Sequence, residues 1–228
     1  MNPTLRASAA HVFVESIDAP VLSDGDQHHL QRVLRVRERD VVTVSDGRGA
    51  WVAARLVGGD VRVDGDVHHH AAPPTSTVVS AIPKGDRVDW IVQKLTEIGI
   101  SQIVLADFAR SVVRWDGERL DKQRQRLHRV MLEAAMQSRR VWLPRLIIGE
   151  TFDVAVQRPD AVLAEPDGDS GGQASCVIVG PEGGFAESEL AAPVGRIGLG
   201  DTVLRVETAA VVAGLRAIAA ARSESSAQ

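Results

Sequence analysis

Two glycine-rich turns carry the residues whose types and spacing could do chemistry in this chain. The first is residues 180–185 (GPEGGF), directly after the apolar run Cys176–Val179, and the second lies within residues 197–209 (IGLGDTVLRVETA). Glycine has no side chain, so the backbone can approach a ligand closely at such turns. Ligands of open α/β sheets bind beyond the carboxyl ends of strands. Both turns follow predicted buried strands, so we expect the functional site there.

The turn at 180–185 differs from the common phosphate-binding turns. It matches neither G-x-x-x-x-G-K-[ST] nor G-x-G-x-x-G, the fingerprints of P-loops and of dinucleotide-binding folds. Glu182 instead places a carboxylate between glycines. A carboxylate there suits a ligand that carries hydroxyls, an amine or a positive centre. Residues 199–200 and 203–204 of the second turn offer an apolar slot for a flat ring.

The composition is that of a soluble globular protein. The 228 residues are 44% hydrophobic and 25% charged, with a net charge of −4. There is no apolar run of about eighteen residues, and residues 1–8 lack the apolar core of a signal peptide. Cys176 is the single cysteine, so no intramolecular disulfide forms, and its apolar strand predicts a packed core thiol. We expect a cytoplasmic protein of one large or two small domains.

The elements that would position the two turns alternate between strand and helix. Gly99 is a predicted helix stop. Such alternation predicts a mostly parallel sheet covered by helices on both faces. The predicted strands are 77–82, 102–106, 146–148, 161–163 and 176–179, the helices are 86–98 and 118–137, and 167–173 is a flexible loop.

Residues 1–72 have a different pattern, which is typical of a small β-barrel. A helix is predicted at 26–37, with Leu30, Val33 and Leu34 on its apolar stripe. Residues 68–75 (HHHAAPPT) are predicted to be a linker. The three histidines are not expected to bind a metal, because consecutive residues rarely converge on one ion. Short strands separated by glycine turns are predicted at 11–15, 41–45, 51–57 and 60–64.

Basic residues cluster in two stretches. Four arginines lie within residues 32–39, and ten lysines and arginines lie within residues 109–145 against four acids. These stretches are either solvated helix faces or patches that contact phosphates.

Six short blocks in the right order resemble the SPOUT superfamily of methyltransferases. Within it they are most similar to the RsmE-type family, bacterial enzymes that methylate ring nitrogen three of a uridine in 16S ribosomal RNA. Two blocks are the glycine-rich turns. Met136 and Ala109 stand where the family often has glutamate, and residues 38–40 replace a more usual Gly-Asp turn. The other blocks are 29–35 (HLQRVLR), 83–86 (PKGD) with 93–99 (QKLTEIG), 110–115 (RSVVRW) and 133–139 (EAAMQSR).

The resemblance covers nearly the whole chain and implies two domains. Residues 1–72 would form a PUA-like β-barrel RNA-binding domain, and residues 75–228 a SPOUT methyltransferase domain, an α/β parallel sheet with a C-terminal trefoil knot. The loops 163–166, 180–185 and 197–205 would hold S-adenosylmethionine in a bent shape near the interface of a homodimer. The implied cofactor-binding residues are Leu163, Glu165, Gly180, Pro181, Glu182, Gly183, Gly184, Leu199, Gly200, Leu204, Arg205 and Thr208.

Methyl transfer to uracil requires that the ring nitrogen lose its proton or that the developing anion be stabilised. The implied catalytic residues are Arg205 and Glu207, although Glu207 with Thr208 could equally cap the last helix. Base stacking is expected from Trp115, Phe185 or arginine planes, unless the core takes both rings. The residues expected to contact RNA in the small ribosomal subunit are Arg32, Arg35, Lys84, Lys94, Arg114, Arg139 and Arg140.

Two other functions stay open from the sequence. The same fold could methylate a ribose of ribosomal or transfer RNA, or the chain could be a ribosome-binding protein that has lost catalysis. A pure binder has no need to keep both glycine turns as a pocket, so the turns favour an enzyme.

Overall fold

The structure is a computed structural model that describes residues 2–28, 30, 32 and 34–226. The chain divides into two compact units. Unit 1 comprises Met1–Pro73 and Leu132–Leu143, and unit 2 comprises Pro74–Met131 and Pro144–Gln228. Over the described residues, every helix is too short or too polar to cross a membrane.

Unit 1 is built around a five-stranded sheet. The strands follow the order β1-β2-β3-β4, and β5 also pairs with β3. The β1–β2 pairing is parallel and the other pairings are antiparallel. The elements are α1 (Pro3–Ala7), β1 (Ala10–Phe13), α2 (Asp24–His28), β2 (Val41–Ser45), β3 (Ala50–Val57), β4 (Asp60–Val63) and β5 (His68–His69).

Two predictions for unit 1 need correction. The helix predicted at 26–37 is shorter and irregular: α2 ends at His28, Leu30 and Arg32 have π-helical backbone, and residues 34–40 are not helical. Arg35 has a φ of +52°, and the Asp40 carboxylate accepts a hydrogen bond from the Arg37 N–H at 2.8 Å, which favours a turn. Val33, which was assigned to the apolar stripe, lies outside the described residues. The predicted linker also begins too early, because His68–His69 form β5 against β3.

A buried polar chain holds β1, β2 and the segment after α4 (Gly117–Gln137) together within unit 1. His11 is 2% exposed, and its Nε2 donates to the Arg140 carbonyl oxygen at 2.9 Å. Its Nδ1 must therefore accept from the Thr43 hydroxyl, 2.9 Å away. The Ser8 hydroxyl lies 3.1 Å from that of Thr43. Burial lowers the pKa of His11 to about 4, so the ring is neutral at physiological pH.

Unit 2 alternates strands and helices. Its sheet has the order β11-β9-β10-β6-β7-β8, and all of these pairings are parallel. The parallel sheet predicted from the alternation is confirmed. Besides most of α4, the elements are β6 (Thr77–Ala81), α3 (Arg87–Ile98), β7 (Gln102–Asp107), β8 (Arg145–Thr151), α5 (Phe152–Ala155), β9 (Ala161–Asp169), β10 (Cys176–Val179), α6 (Glu187–Leu190), β11 (Gly195–Ile197) and α7 (Val206–Ser226).

Helix α7 lies against the sheet and α3 through small residues. A Cβ on Gly214 would lie 2.7 Å from Leu95, so glycine lets the two helices approach closely. Helix α3 ends as predicted at Gly99, whose φ is +100° and whose N–H caps the Leu95 and Thr96 carbonyls. Cys176 is confirmed as a core residue, and burial raises its pKa to about 12. The buried residues of α7 are Val206, Ala209, Ala210, Ala213, Gly214, Ala217, Ala220 and Ala221.

One prediction for unit 2 is partly wrong. The loop predicted at 167–173 begins three residues later than predicted, at residue 170, because β9 extends to Asp169. Its pairing with β11 jumps from Arg196↔Leu163 to Ile197↔Asp169, so residues 164–168 bulge out between the two paired positions. The strand was not predicted over residues 164–169 because this stretch is polar and contains glycine, a composition typical of loops.

The buried His11 predicts a pH-dependent stability. His11 has a pKa of about 6.5 in the unfolded chain and about 4 in the native protein, so between these pH values only the unfolded chain binds the proton. Stability should therefore be complete above pH 6.5 and fall, as the pH falls to 4, by about 3 kcal/mol. Urea unfolding of His11→Gln should lack this part of the slope, whereas His69→Gln, at an exposed site, should keep it. An equal slope in all three proteins would contradict the assignment.

Candidate active site

Three neighbouring strands end at one cavity in unit 2. Strands β11, β9 and β10 are adjacent and parallel, so their carboxyl ends meet at the same edge of the sheet. The cavity beyond this edge has a volume of about 420 Å³, within the range of small-molecule sites. The lining residues are Arg87, Ala164, Glu165, Pro166, Val179, Gly180, Pro181, Glu182, Gly184, Phe185, Leu199, Gly200, Thr202, Val203, Leu204, Arg205, Val206 and Ala209.

The β9 bulge supplies one wall of the cavity. Ala164, Glu165 and Pro166 lie in the bulge and face the cavity. Burial raises the pKa of the Glu165 carboxyl above its usual value, and the nearby Arg196 partly offsets this. A carboxylate in this setting is a good acceptor for hydroxyl or amine donors of a ligand.

The loop after β10 is held in place at both ends. Gly184 has a φ of +70°, and its N–H donates to the Pro181 carbonyl at 2.8 Å, which closes a tight turn. Glu189, only 5% exposed, accepts from the N–H groups of Ala186 at 2.7 Å and Ala109 at 2.8 Å. Arg110 donates to the Gly183 carbonyl at 3.0 Å. The segment after β7 therefore fixes the glycine loop.

The loop after β11 passes directly over the β9 bulge. The Gly198 N–H donates to the Asp169 carbonyl at 3.1 Å. A Cβ on Gly168 would lie 2.4 Å from the Ile197 carbonyl carbon, and one on Gly198 would lie 2.8 Å from the Gly168 oxygen. Only glycine at both positions allows the two backbones to cross this closely.

Arg87 joins two of the loops by charge. Its guanidinium lies 3.6 Å from a Glu182 carboxylate oxygen and 3.6 Å from a Glu207 carboxylate oxygen. Its Nε also donates to the Lys84 carbonyl at 3.1 Å. The first turn of α3, the glycine loop and the first turn of α7 therefore meet at one cation.

Most of the predicted cofactor residues line the cavity. Leu163, Gly183 and Thr208 do not: Leu163 is in the core, Gly183 faces Arg110, and Thr208 is exposed on α7. The predicted residues that the structure brings together are Glu165, Gly180, Pro181, Glu182, Gly184, Leu199, Gly200, Leu204 and Arg205.

Sequence reasoning missed several lining residues. Arg87 directly follows the block 83–86, so its position next to a recognised motif was the available signal. Val179 was assigned only to a buried strand, and Val206 and Ala209 lay in the second glycine-rich segment but were not named as cofactor-binding residues; their hydrophobicity did not reveal that they border a cavity.

The two predicted catalytic residues differ in placement. Arg205 is exposed and lines the cavity. Glu207 is not among the lining residues; its side chain is 13% exposed and faces Arg87. The alternative interpretation of Glu207 as a helix-start residue agrees with its position in the first turn of α7.

The predicted RNA-binding residues of unit 1 fall into two groups. Arg32 and Arg35 are exposed. Arg139 is half-buried and donates to the Ser8 carbonyl at 2.9 Å, and burial lowers its pKa. Burial also lowers the pKa of Arg140 to about 10, and its carbonyl binds His11. Arg139 thus has a structural partner within its own unit.

The predicted RNA-binding residues of unit 2 are also mixed. Lys84 is exposed, and so is Arg114, which donates to the Phe108 carbonyl at 3.0 Å. Lys94 pairs with Glu97 at 2.8 Å. Trp115 and Phe185 are 8% and 4% exposed, so the core takes both rings, as the alternative interpretation allowed.

Chemically, the cavity combines carboxylates, two arginines and apolar side chains. No group of three or more metal-binding side chains occurs among the residues that the structure describes. Such a lining suits an organic ligand that has a flat apolar part, hydroxyls and a positive centre.

Comparison with known protein families assigns the class. A family model described as an RNA methyltransferase domain matches residues 71–218, which is most of the chain. A second model, described as an RNA methyltransferase PUA domain, matches residues 22–60. The chain is therefore an RNA methyltransferase with a PUA-like domain.

Two curated relatives place the chain in a particular family of RNA methyltransferases. The ribosomal RNA small subunit methyltransferase E of Bacillus subtilis is 30% identical, with 86% of this chain and 89% of that protein aligned. The protein of the same name from Mycobacterium bovis is 34% identical over 86% of this chain and 84% of the relative. This chain belongs to the family of RNA methyltransferases that carry this name, as its sequence blocks predicted.

A solved structure agrees with this assignment. The ribosomal RNA small subunit methyltransferase E of Neisseria gonorrhoeae, bound to S-adenosyl methionine, has a TM-score of 0.74 and 26% identity, over 94% of this chain and 97% of that one.

The crossing of the β9 bulge and the 197–198 segment predicts a position-specific effect of alanine. Gly168→Ala should lower the free energy of unfolding by roughly 1–3 kcal/mol, because its Cβ would overlap backbone that cannot move freely. Gly171→Ala in the next turn, whose Cβ would lie 3.5 Å from an Asp169 oxygen, is the control and should change little. Denaturant titration measures both, and equal effects would contradict the close crossing.

Proposed function

We propose that this protein transfers the methyl group of S-adenosylmethionine to ring nitrogen three of a uridine in 16S ribosomal RNA of the small ribosomal subunit. The observation that carries the proposal is the cavity at the joined ends of β11, β9 and β10, in a chain of this family. Its relatives are named for the ribosomal RNA of the small subunit, and a neighbour is bound to S-adenosyl methionine. The uridine nitrogen rests on the sequence resemblance.

The cavity fits the proposed methyl donor. Val203, Leu199 and Leu204 offer apolar contact to an adenine ring, while Glu165 and Glu182 offer carboxylates to hydroxyl and positive groups. When bound, S-adenosylmethionine supplies an activated methyl group on a sulfonium. The protein then needs mainly to hold donor and acceptor in line.

The chain's own residues must help the uracil lose its N3 proton. Arg205 lines the cavity and is exposed, so its guanidinium can stabilise negative charge that develops on the base. Glu207 was the other catalytic prediction, as a proton acceptor, but its carboxylate faces Arg87. The acceptor of the proton is then water or another group at the cavity mouth.

The target nitrogen lies on the pairing edge of uracil, so the base must be unpaired or extruded to react. The exposed Arg32, Arg35, Lys84 and Arg114 are the predicted RNA contacts with the most accessible side chains. We propose that the domain at 1–72 and the domain at 75–228 both contribute such contacts. Lys94, Arg139 and Arg140 contribute less, because partners within the protein or burial restrain them.

The trefoil knot is also a proposal. The backbone crossing at Gly168 and Gly198 supports it, because the chain after β11 passes tightly over the β9 bulge. The loops 163–166 and 197–205 are where the sequence resemblance places the threaded segment.

A homodimer is proposed because one large apolar side chain on α7 and one on the adjacent α3 are exposed. Leu215 on α7 is 55% exposed, and Trp90 on α3 is 40% exposed. Large apolar side chains exposed on packed helices are typical of an interface. A ribosomal RNA substrate further implies that the enzyme works in the cytoplasm.

The test of the function uses purified protein and methyl-labelled S-adenosylmethionine. Unmodified small subunits, naked 16S RNA and bulk transfer RNA are offered in parallel, and the RNA is digested to nucleosides. Label in 3-methyluridine from the subunits is expected. Label in a ribose-methylated nucleoside would change the target, and failure to bind the cofactor would favour a binding protein that has lost catalysis.

Arg205→Ala should slow methyl transfer roughly 10²–10³-fold, because the cavity loses its free cation. The unfolding midpoint should change little, since the side chain is exposed. Arg222→Ala, at an exposed position late in α7, is the matched control. Initial rates with saturating subunits measure the effect, and normal turnover in Arg205→Ala would remove this residue from the mechanism.

Leu215→Glu should convert the homodimer to a monomer in sedimentation velocity, because a buried charge opposes association. Val154→Glu, at a similarly exposed residue of α5, should leave the dimer intact. A wild-type protein that sediments as a monomer would refute the proposed dimer.

A further inference from the structure

Two cations line the cavity, and their surroundings differ. Arg87 lies 3.6 Å from Glu182 and 3.6 Å from Glu207, and its Nε binds the Lys84 carbonyl. Arg205 also lines the cavity, yet no hydrogen bond or ion pair joins its guanidinium to another residue of the described chain. One arginine is therefore neutralised by two carboxylates, and the other is not.

Glu207 depends on Arg87. Its side chain is 13% exposed, and its buried Oε2 has no hydrogen-bond partner among the described residues. The ion pair with Arg87 is therefore the interaction in the structure that offsets the cost of burying the Glu207 carboxylate. A buried carboxylate that loses such a partner is strongly destabilised and turns to another cation or takes up a proton. Arg205 is the other cation at the cavity, two residues before Glu207.

We propose that Arg87 is a positioning residue that engages the carboxylates of Glu182 and Glu207 and so keeps Arg205 free for the methyl acceptor. This inference rests on the proposed function. Glu207 then acts through Arg87 and does not accept the N3 proton. Arg87 also connects the start of α3 to the glycine loop and to the start of α7. One guanidinium therefore fixes the glycine loop relative to the segment that carries Arg205.

The test is a double-variant cycle on the full-length protein. Arg87→Met should lower the single-turnover rate of methyl transfer roughly 10–100-fold, while the Kd for S-adenosylmethionine changes less than about threefold. Adding Glu207→Gln to Arg87→Met should restore the rate to within about fivefold of wild type, because the carboxylate that neutralises Arg205 is gone. Glu207→Gln alone should keep most of the rate and an unchanged pH profile, because in this proposal Glu207 does not accept the N3 proton.

Two further variants separate positioning from loss of fold. Arg87→Lys keeps the charge and should retain the rate within about fivefold. Arg126→Met breaks the 2.7 Å ion pair with Asp89 in the same turn of α3, away from the cavity, and should leave the rate unchanged. If Arg87→Met does not fold, Arg87→Lys and Glu207→Gln still carry the test.

Several results would overturn the inference. If the double variant were as slow as Arg87→Met, Arg87 would be a substrate contact or a purely structural residue. If Glu207→Gln abolished methyl transfer and also removed one arm of the pH dependence of the rate, Glu207 would be the proton acceptor. In both cases the wild type still makes 3-methyluridine and the proposed function stands, whereas a wild type inactive on every RNA refutes both.

Discussion

The close crossing of two backbone segments is the constraint on which the rest of the site depends. Gly168 in the β9 bulge and residues 197–198 approach so closely that neither glycine can carry a Cβ. The bulge arises because β9 pairs with β11 at Leu163 and again at Asp169, with five unpaired residues between them. This detour turns Glu165 toward the cavity, and the crossing directs the chain after β11 along the cavity's other side.

The close packing of α7 places the charged residues Glu207 and Arg87 next to each other. The buried face of α7 is almost entirely alanine and glycine, so the helix lies close to α3 and the sheet. Small side chains contribute little apolar area each, but they permit close approach along the whole helix. The first turn of α7 is thereby brought to the first turn of α3, where Glu207 meets Arg87. The Arg87–Glu207 ion pair is a consequence of this packing. A bulky residue at Gly214 would therefore disturb the packing of α7 against α3 and, with it, the ion pair.

The sequence predicted strand and helix order well because hydrophobic periodicity is local. It predicted half of the cavity residues by name because glycine turns after buried strands have a stereochemical meaning. It could not predict that Arg139 binds the Ser8 carbonyl, since that contact joins segments far apart in the chain. Nor could it predict the pairing of Arg87 with Glu182 and Glu207, because nothing in spacing relates three separate elements. Long-range polar contacts are what local patterns leave undetermined.

The departures from the family pattern can be weighed by the same reasoning. Ala109 departs from the pattern that the sequence resemblance implied, yet its backbone N–H, not its side chain, binds Glu189. Glu189 also holds Ala186 at the end of the glycine loop. A backbone donor survives any side-chain replacement except proline. The hydrogen bond that anchors the glycine loop is therefore independent of the side chain at position 109.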